Sequence, residues 1–344
     1  MIRRLRPGSP QLRVGWATAA TLTAERATFR GLETSVAMRI ANVARWLNAN
    51  TRIRNELYRA GRLYDVVVFV KAMDERVQAE AERARALGAR VVFDANVNYY
   101  EVWGEYDLPG TRPTEEQQRD ATAMTEQADA VVADSTYLLE IVRRLNERAQ
   151  WVPDNVDLRL FRPRPRGRHE GRRLRLAWSG RSHKARPLTL LLEPLEGLED
   201  VELVVVSDAR PPELDELARV VPCTFEPFDL RGYARTLRSC DAIVSPKRLV
   251  NGYELGHSEW KITLGMAAGL PAVASPQRSY VEAIEAGGGG IVADTAAEWR
   301  AAFERLHAAD VRADLGARAR RTVEERYSTP VVARRYGDFL LELA

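Results

Sequence analysis

DAIVSPKRLVNGYELGHSEWKITLGMAAGLPAVASP, residues 241–276, decides the fold. DAIVSP opens with an acid and climbs into an apolar run, as a buried parallel strand does, and PAVASP repeats that pattern. Between them, the segment carrying Lys261 and ending at Gly269 is expected to be a helix. The loop before it, Lys247 to Ser258, is crowded with Asn251, Tyr253, Glu254, His257 and Ser258. In an open parallel sheet, ligands bind beyond the carboxyl ends of strands and at helix N-termini, and this stretch supplies both.

Working outward, the same strand–helix alternation fills the chain. Towards the N-terminus, strands are expected at LRVGWA from Leu12, YDVVVFVK (Tyr64 to Lys71), ARVVFDA ending near Asp94 and Asn96, and DAVVADS. A helix is expected from Leu32 to Leu47, where Val36, Ile40, Val43, Ala44 and Leu47 recur at helical spacing, with a second helix running on through Tyr58. Further helices are expected up to Leu87, capped by Gly88, then from Glu115 to Gln127 and from Thr136 to Leu145. FRPRPRGRHEGRR has almost nothing apolar and reads as a linker. After it LRLAW (Leu174 to Trp178), VELVVVSD and CTFEPF restart the alternation. Strands alternating with helices mean a parallel sheet covered on both faces, and two such runs in tandem mean an α/β protein with two Rossmann-like domains. The expected limits are 11–161 for the first domain, 162–173 for the linker and 174–328 for the second domain. A C-terminal helix at 329–344 follows, entered at Pro330 and expected to return to the first domain.

Composition narrows the function. A formal net charge of +3 over 344 residues creates no strong field for nucleic acid, and no aromatic residues interleave with a basic patch. Cys223 and Cys240 form neither a disulfide framework nor a metal-ligand spacing. No run of 18 uncharged apolar residues occurs and no signal peptide follows MIRRLRPGSP, so a soluble, cytoplasmic protein with at most peripheral membrane contact is expected. Among 51 basic residues only Lys71, Lys184, Lys247 and Lys261 are lysine. Arginine does not replace lysine where a compact point charge must fit, which makes these four informative.

The groups able to do chemistry cluster in the second half. SGRSHK directly follows the first strand there, so Gly180, Arg181 and Lys184 would meet a diphosphate, although the loop lacks the spacing of a P-loop or a dinucleotide fingerprint. Ser207 and Asp208 end the next strand, where they would touch a ribose or base, or serve only as caps. Thr18, Asp94 and Asn96 lie at carboxyl ends of first-domain strands, where polar groups face a ligand more often than solvent alone.

WVPDNVD with Phe161 nearby, a Gly-Arg loop after the first strand, SP followed by a polar loop, K…MAAGLPAVASP, a GG-I-V turn and ERYS together resemble the two-Rossmann glycosyltransferases of GT-B fold, most closely the retaining glycosyltransferase family 4 (glycosyl transferases group 1). The likeness covers residues 174 to 327 almost fully. It implies a nucleotide-diphosphate-sugar donor on the second domain and an acceptor on the first: a small molecule, a lipid-linked group or a glycan. Two family glutamates, aligned on Met266, would fall at Gly256 and Leu264, neither of which is a carboxylate; Glu254 and Glu259 flank the first position. Ser258 and Lys261 match an S-x-x-K variant of the segment, serving the diphosphate. The expected site therefore comprises Arg181, Lys184 and Lys261 as catalytic cations, with Gly180, Ser207, Asp208, Asn251, Glu254, His257, Ser258 and Glu259 around the donor.

All four histidines (His169, His183, His257, His307) lie beyond the expected linker's start, leaving Asp94 as the placed acceptor-side carboxylate. An inverting transfer needs a base there, whereas a retaining one uses the leaving diphosphate to take the acceptor's proton. No Asp-x-Asp occurs. The expectation is a retaining, metal-independent hexosyl-type transfer without a cofactor. Its alternative is a catalytically degenerate GT-B protein that binds a nucleotide or serves as a partner subunit.

Overall fold

The computed structural model describes residues 12–23, 28–29, 34–163 and 173–344. Two six-stranded sheets, all of whose strand pairs are parallel, organise the chain. The first contains β1 (Leu12–Ala17), β2 (Ile53–Leu57), β3 (Val66–Val70), β4 (Arg90–Ala95), β5 (Ala130–Ala133) and β6 (Ala149–Trp151), in the order β2-β1-β3-β4-β5-β6. The second contains β7 (Leu174–Ser179), β8 (Val201–Ser207), β9 (Cys223–Pro227), β10 (Ala242–Ser245), β11 (Ala272–Ala274) and β12 (Gly290–Val292), in the order β12-β11-β10-β7-β8-β9. Strands buried on both faces read as unbroken apolar runs, and every residue of β3 and β5 is buried. The expected linker lies, apart from its ends, outside the described residues.

Each sheet reverses its strand order once. In the second sheet the chain runs outward through β7, β8 and β9, then returns to lay β10 on the other side of β7. The crevice at the carboxyl ends of β7 and β10 is thus the topological switch point, and the loops that open there are SGRSHK and the polar loop after Ser245. The first sheet reverses between β1 and β3, where Lys71 follows β3.

The helix Thr34–Asn50 covers one face of the first sheet through Ile40, Val43, Ala44 and Leu47. The last helix, Thr329–Leu343, completes that face with Val332, Ala333, Tyr336, Phe339 and Leu340. The chain end therefore does return to the first domain, and Trp16 and Tyr336 meet edge to face at 5.1 Å.

One expectation fails. Residues through Tyr58 form no second helix; Ile53–Leu57 is an edge strand in which Ile53, Asn55 and Leu57 point inward. That alternation has the period of a strand, and Asn55 is buried because its side chain accepts from Trp16 Nε1 (3.0 Å). Among the described residues no helix is long and apolar enough to cross a membrane.

Candidate active site

A cavity of about 550 Å³ separates the carboxyl ends of the two sheets. Its second-domain wall is built by Ser179, Gly180, Arg181 and Lys184 after β7, Asp208 after β8, and His257, Ser258, Trp260, Lys261 and Leu264 beyond β10. Gly180 is required for packing: a Cβ there would lie 2.7 Å from the Trp178 ring and 3.3 Å from Lys261 Nζ. Asp208 shapes the loop, since its Oδ1 accepts from Ser182 N (2.7 Å) and holds the carboxyl down at about 2.

The wall is strongly cationic. Lys261 sits 5.7 Å over the Trp178 ring, and burial, helped by the charge of Lys247, lowers its pKa to about 7. Lys184 donates to Tyr253 Oη and is also lowered by burial and by Lys247. Lys247 itself lies beneath the wall, paired with Glu254 at 3.1 Å. Burial and the same three lysines keep the His257 imidazole neutral. Its Nδ1 is 2.6 Å from Tyr253 O, which can only accept, so Nδ1 carries the proton and Nε2 is left as an acceptor. Trp260 opens the helix Trp260–Ala267, whose N-terminus has no side-chain cap.

The first-domain wall is formed by Val36, Met38, Arg39, Val70, Lys71, Asn96, Val97, Asp134 and Asp154. Lys71 holds a left-handed backbone (φ 52°), uncommon for a residue with a side chain, at the end of β3. Arg39 Nε donates to Asp94 Oδ1 (2.9 Å) and Nη1 to Asp154 Oδ1 (3.0 Å). With its amide turned so that the oxygen faces donors, Asn96 accepts from Arg39 Nε at 2.8 Å. Ser258 Oγ donates across the cleft to Asp154 Oδ2 (2.7 Å), joining the walls.

Of the residues expected from sequence, Gly180, Arg181, Lys184, Lys261, Asp208, His257, Ser258 and Asn96 line this cavity together. The others do not. Asp94 is fully buried behind the wall, bound by Arg39 and by Tyr336 Oη (2.8 Å), so it is no acceptor-side base. Thr18 is buried in a local exchange with Thr21. Ser207 is buried and donates to Asp208 (3.0 Å). Asn251 caps the short helix Gly252–Leu255 and donates to Glu105 O (2.5 Å), while Glu254 is spent on Lys247. Glu259 is buried below Ser258. Arg39, Asp134 and Asp154 were not singled out in the sequence; their signal is position, on a core helix and just past β5 and β6.

A second contact surface ties the walls together along one edge. Gly104 forms an antiparallel bridge with Asn251, Glu105 N donates to Val250 O (3.1 Å), Asn98 donates to Gly252 O (3.2 Å) and Ser135 to Gly256 O (2.8 Å). Gly104 has φ 77°, and a Cβ there would lie 1.9 Å from Val250 O.

Residues 173–309 match the family described as Glycosyl transferases group 1. Sucrose-phosphate synthase from Thermosynechococcus elongatus superposes with a TM-score of 0.69 at 14% identity, covering 97% of this chain and 99% of its own. The fold is GT-B. HepE from Anabaena, solved with UDP and glucose, gives 0.67 at 12% identity over 96% and 100% of the two chains. A mutant of S. aureus TarM, in complex with Fondaparinux, alpha-GlcNAc-glycerol and UDP, gives 0.60 at 11% identity over 80% of this chain and 55% of its own. This GT-B chain thus spans about half the length of TarM. No curated protein matches it in sequence. Against the family pattern, this GT-B chain presents Leu264, an apolar side chain, to the cavity, and Gly256, with no side chain to offer, accepts from Ser135 through its carbonyl.

Proposed function

We propose that this chain is a glycosyltransferase that moves a sugar from a nucleotide-diphosphate donor to an acceptor hydroxyl, with retention at the anomeric carbon and without a metal ion. The observation that carries the reading is the convergence of the lysines. All four in the chain gather at one place: Lys71, Lys184 and Lys261 line the cavity and Lys247 supports them from beneath, while the 47 arginines are spread over the whole sequence. Compact ammonium groups beside Arg181 and an uncapped helix N-terminus are what a departing diphosphate requires.

In the proposed reaction the bond between the anomeric carbon and the diphosphate oxygen breaks, and the cations stabilise the charge that develops on the leaving group. The acceptor oxygen bonds to the same face of the sugar, and its proton passes to the departing diphosphate. His257 Nε2, a neutral acceptor, is positioned to receive a hydrogen bond from a sugar hydroxyl. Asp94, locked against Arg39 and Tyr336, is not available as a base. UDP, held by HepE and TarM in their crystals, is the first nucleotide to test.

The decisive experiment is nucleotide release from a panel of nucleotide sugars, with the anomeric configuration of the product read by NMR. Turnover should fall at least about tenfold in Arg181→Ala and in Lys184→Ala, since each removes a charge-assisted contact. Unchanged turnover in both would sink the assigned cluster. A non-catalytic, nucleotide-binding role is the second reading, favoured by Leu264 in the cavity and by Glu254 being tied to Lys247. It predicts nucleotide binding without transfer to any acceptor or to water.

A further inference from the structure

Lys71 stands apart from the other lysines. It follows β3 on the first-domain wall, where that sheet reverses its strand order, and it is exposed and lines the cavity. Its backbone is left-handed (φ 52°), a conformation shared among the described non-glycine residues only by Leu249. Such a backbone costs energy in any residue with a Cβ and is kept where the surroundings impose it. Here the Lys71 amide donates to Asp94 O (3.0 Å) and the next residue, Ala72, is buried, so the turn is fixed and the ammonium stays on the cavity wall.

That ammonium is uncompensated. Among the described residues it has neither an ion-pair nor a hydrogen-bond partner. The carboxylates of its own wall are engaged elsewhere: Asp154 with Arg39 (3.0 Å) and Ser258 (2.7 Å), and Asp94 with Arg39 and Tyr336. Burial and the neighbouring Asp154 push the Asp134 carboxyl well above the usual range, which holds it neutral. The Asn96 amide oxygen is taken by Arg39. Met38, Val70 and Val97 leave the rest of the wall apolar. Nor does the donor need Lys71. A nucleotide-sugar diphosphate carries one negative charge on each phosphate, and the opposite wall meets these with Arg181, Lys184 and Lys261. An acceptor that fills the cavity strips water from Lys71, and an ammonium so desolvated needs a counter-charge.

We propose that Lys71 binds an oxyanion carried by the acceptor, so that the acceptor is a sugar or polyol bearing a phosphate monoester or a carboxylate, one of whose free hydroxyls receives the transferred sugar. The proposal rests on the glycosyltransferase reading and adds the acceptor's charge to it. A compact ammonium suits either oxyanion as a point charge. A neutral acceptor would leave Lys71 desolvated and unpaired, and an amino sugar would be repelled by it.

The test is equilibrium binding of glucose 6-phosphate, glucuronate and glucose to the full chain by ligand-observed NMR, with UDP present so that the donor wall is occupied. At least one of the anions should bind about tenfold or more tightly than glucose, the worth of one charge-assisted hydrogen bond, and the tighter of them names the oxyanion. That preference should vanish in Lys71→Met, which keeps a long unbranched side chain on the same backbone and removes its charge. A UDP-induced thermal shift equal to that of the unsubstituted chain shows that the variant is folded and that Lys71 lies outside the diphosphate clamp. Equal binding of the three sugars, binding of none, a preference that survives the substitution, or loss of the UDP shift in Lys71→Met would each overturn the proposal. Failure of the donor reading shows separately, as no UDP shift in the unsubstituted chain.

Discussion

Lys261 offers a quantitative test of the lysine wall. In the free chain, burial and the adjacent Lys247 charge bring its pKa to about 7. A diphosphate placed against it favours the ammonium form, so binding above that pH must draw a proton from solution. At about pH 8 roughly a tenth of Lys261 is protonated before binding, so uptake approaches ~0.9 proton, against ~0.1 at about pH 6. The Lys261 contribution to affinity then weakens about tenfold between those two pH values, or ~1.4 kcal/mol. Titration calorimetry of UDP in buffers of different ionisation enthalpy reads the uptake directly. Lys261→Met is the control that removes this component and leaves the titration of the nucleotide itself. The same shift has a signed effect on the free chain. An unfolded lysine holds its proton up to about pH 10.4, so between about 7 and 10 the unfolded state binds more protons and stability rises with pH. That slope should be lost in Lys261→Met. Equal proton uptake by the two proteins at about pH 8 would refute the placement of Lys261 against the diphosphate.

Three further outcomes follow from the packing. Gly180→Ala forces a methyl into the Trp178 ring and toward Lys261, so UDP affinity and turnover should drop with an overpacking cost of ~1–3 kcal/mol, measured by calorimetry and nucleotide release. Arg39→Met strands Asp94 and Asp154 without their cation and should cost about 3–5 kcal/mol in urea unfolding, partly recovered when Asp94→Asn is added. Gly104→Val combines a left-handed backbone with a contact against Val250 O; it should open the edge between the walls, seen as faster hydrogen exchange at the Glu105 amide.

The fold was legible wherever one residue pattern has one physical solution. VVVFV and VELVVVS can only be buried strands, and Thr114 with Gln117 closes a capping box at the very start expected for the Glu115–Gln127 helix. Ile53–Leu57 misled because Ile53 and Leu57 satisfy a helical spacing as well as a strand's, and only pairing to β1 decides between them. The helix Ala309–Thr322, whose periodicity is blurred by arginines, was not anticipated. At the site, both loops at the β7/β10 switch point were legible from their place after strands. Which side chains turn inward was not. Asn251 and Glu254 look like ligands in the sequence but serve as a cap and an ion-pair partner. Arg39 sits between apolar positions of a core helix, and its role is defined by Asp94, Asp154 and Tyr336, 55, 115 and 297 residues further on respectively.

The last helix sets the order in which this molecule can be made. During synthesis β1 to β6 leave the ribosome before the second sheet, yet one face of their sheet is only partly covered, by the helix Thr34–Asn50, until Val332, Ala333, Tyr336 and Leu340 have been added. Until then Asp94 lacks the Tyr336 hydroxyl and Trp16 lacks its aromatic neighbour. Nascent first-domain chains are therefore expected to remain protease-sensitive, or to be held by chaperones, through the whole translation of the second domain. A fragment cut at the junction between the two sheets would be born in that incomplete state, and supplying residues 329–344 as a separate peptide should restore its cooperative unfolding.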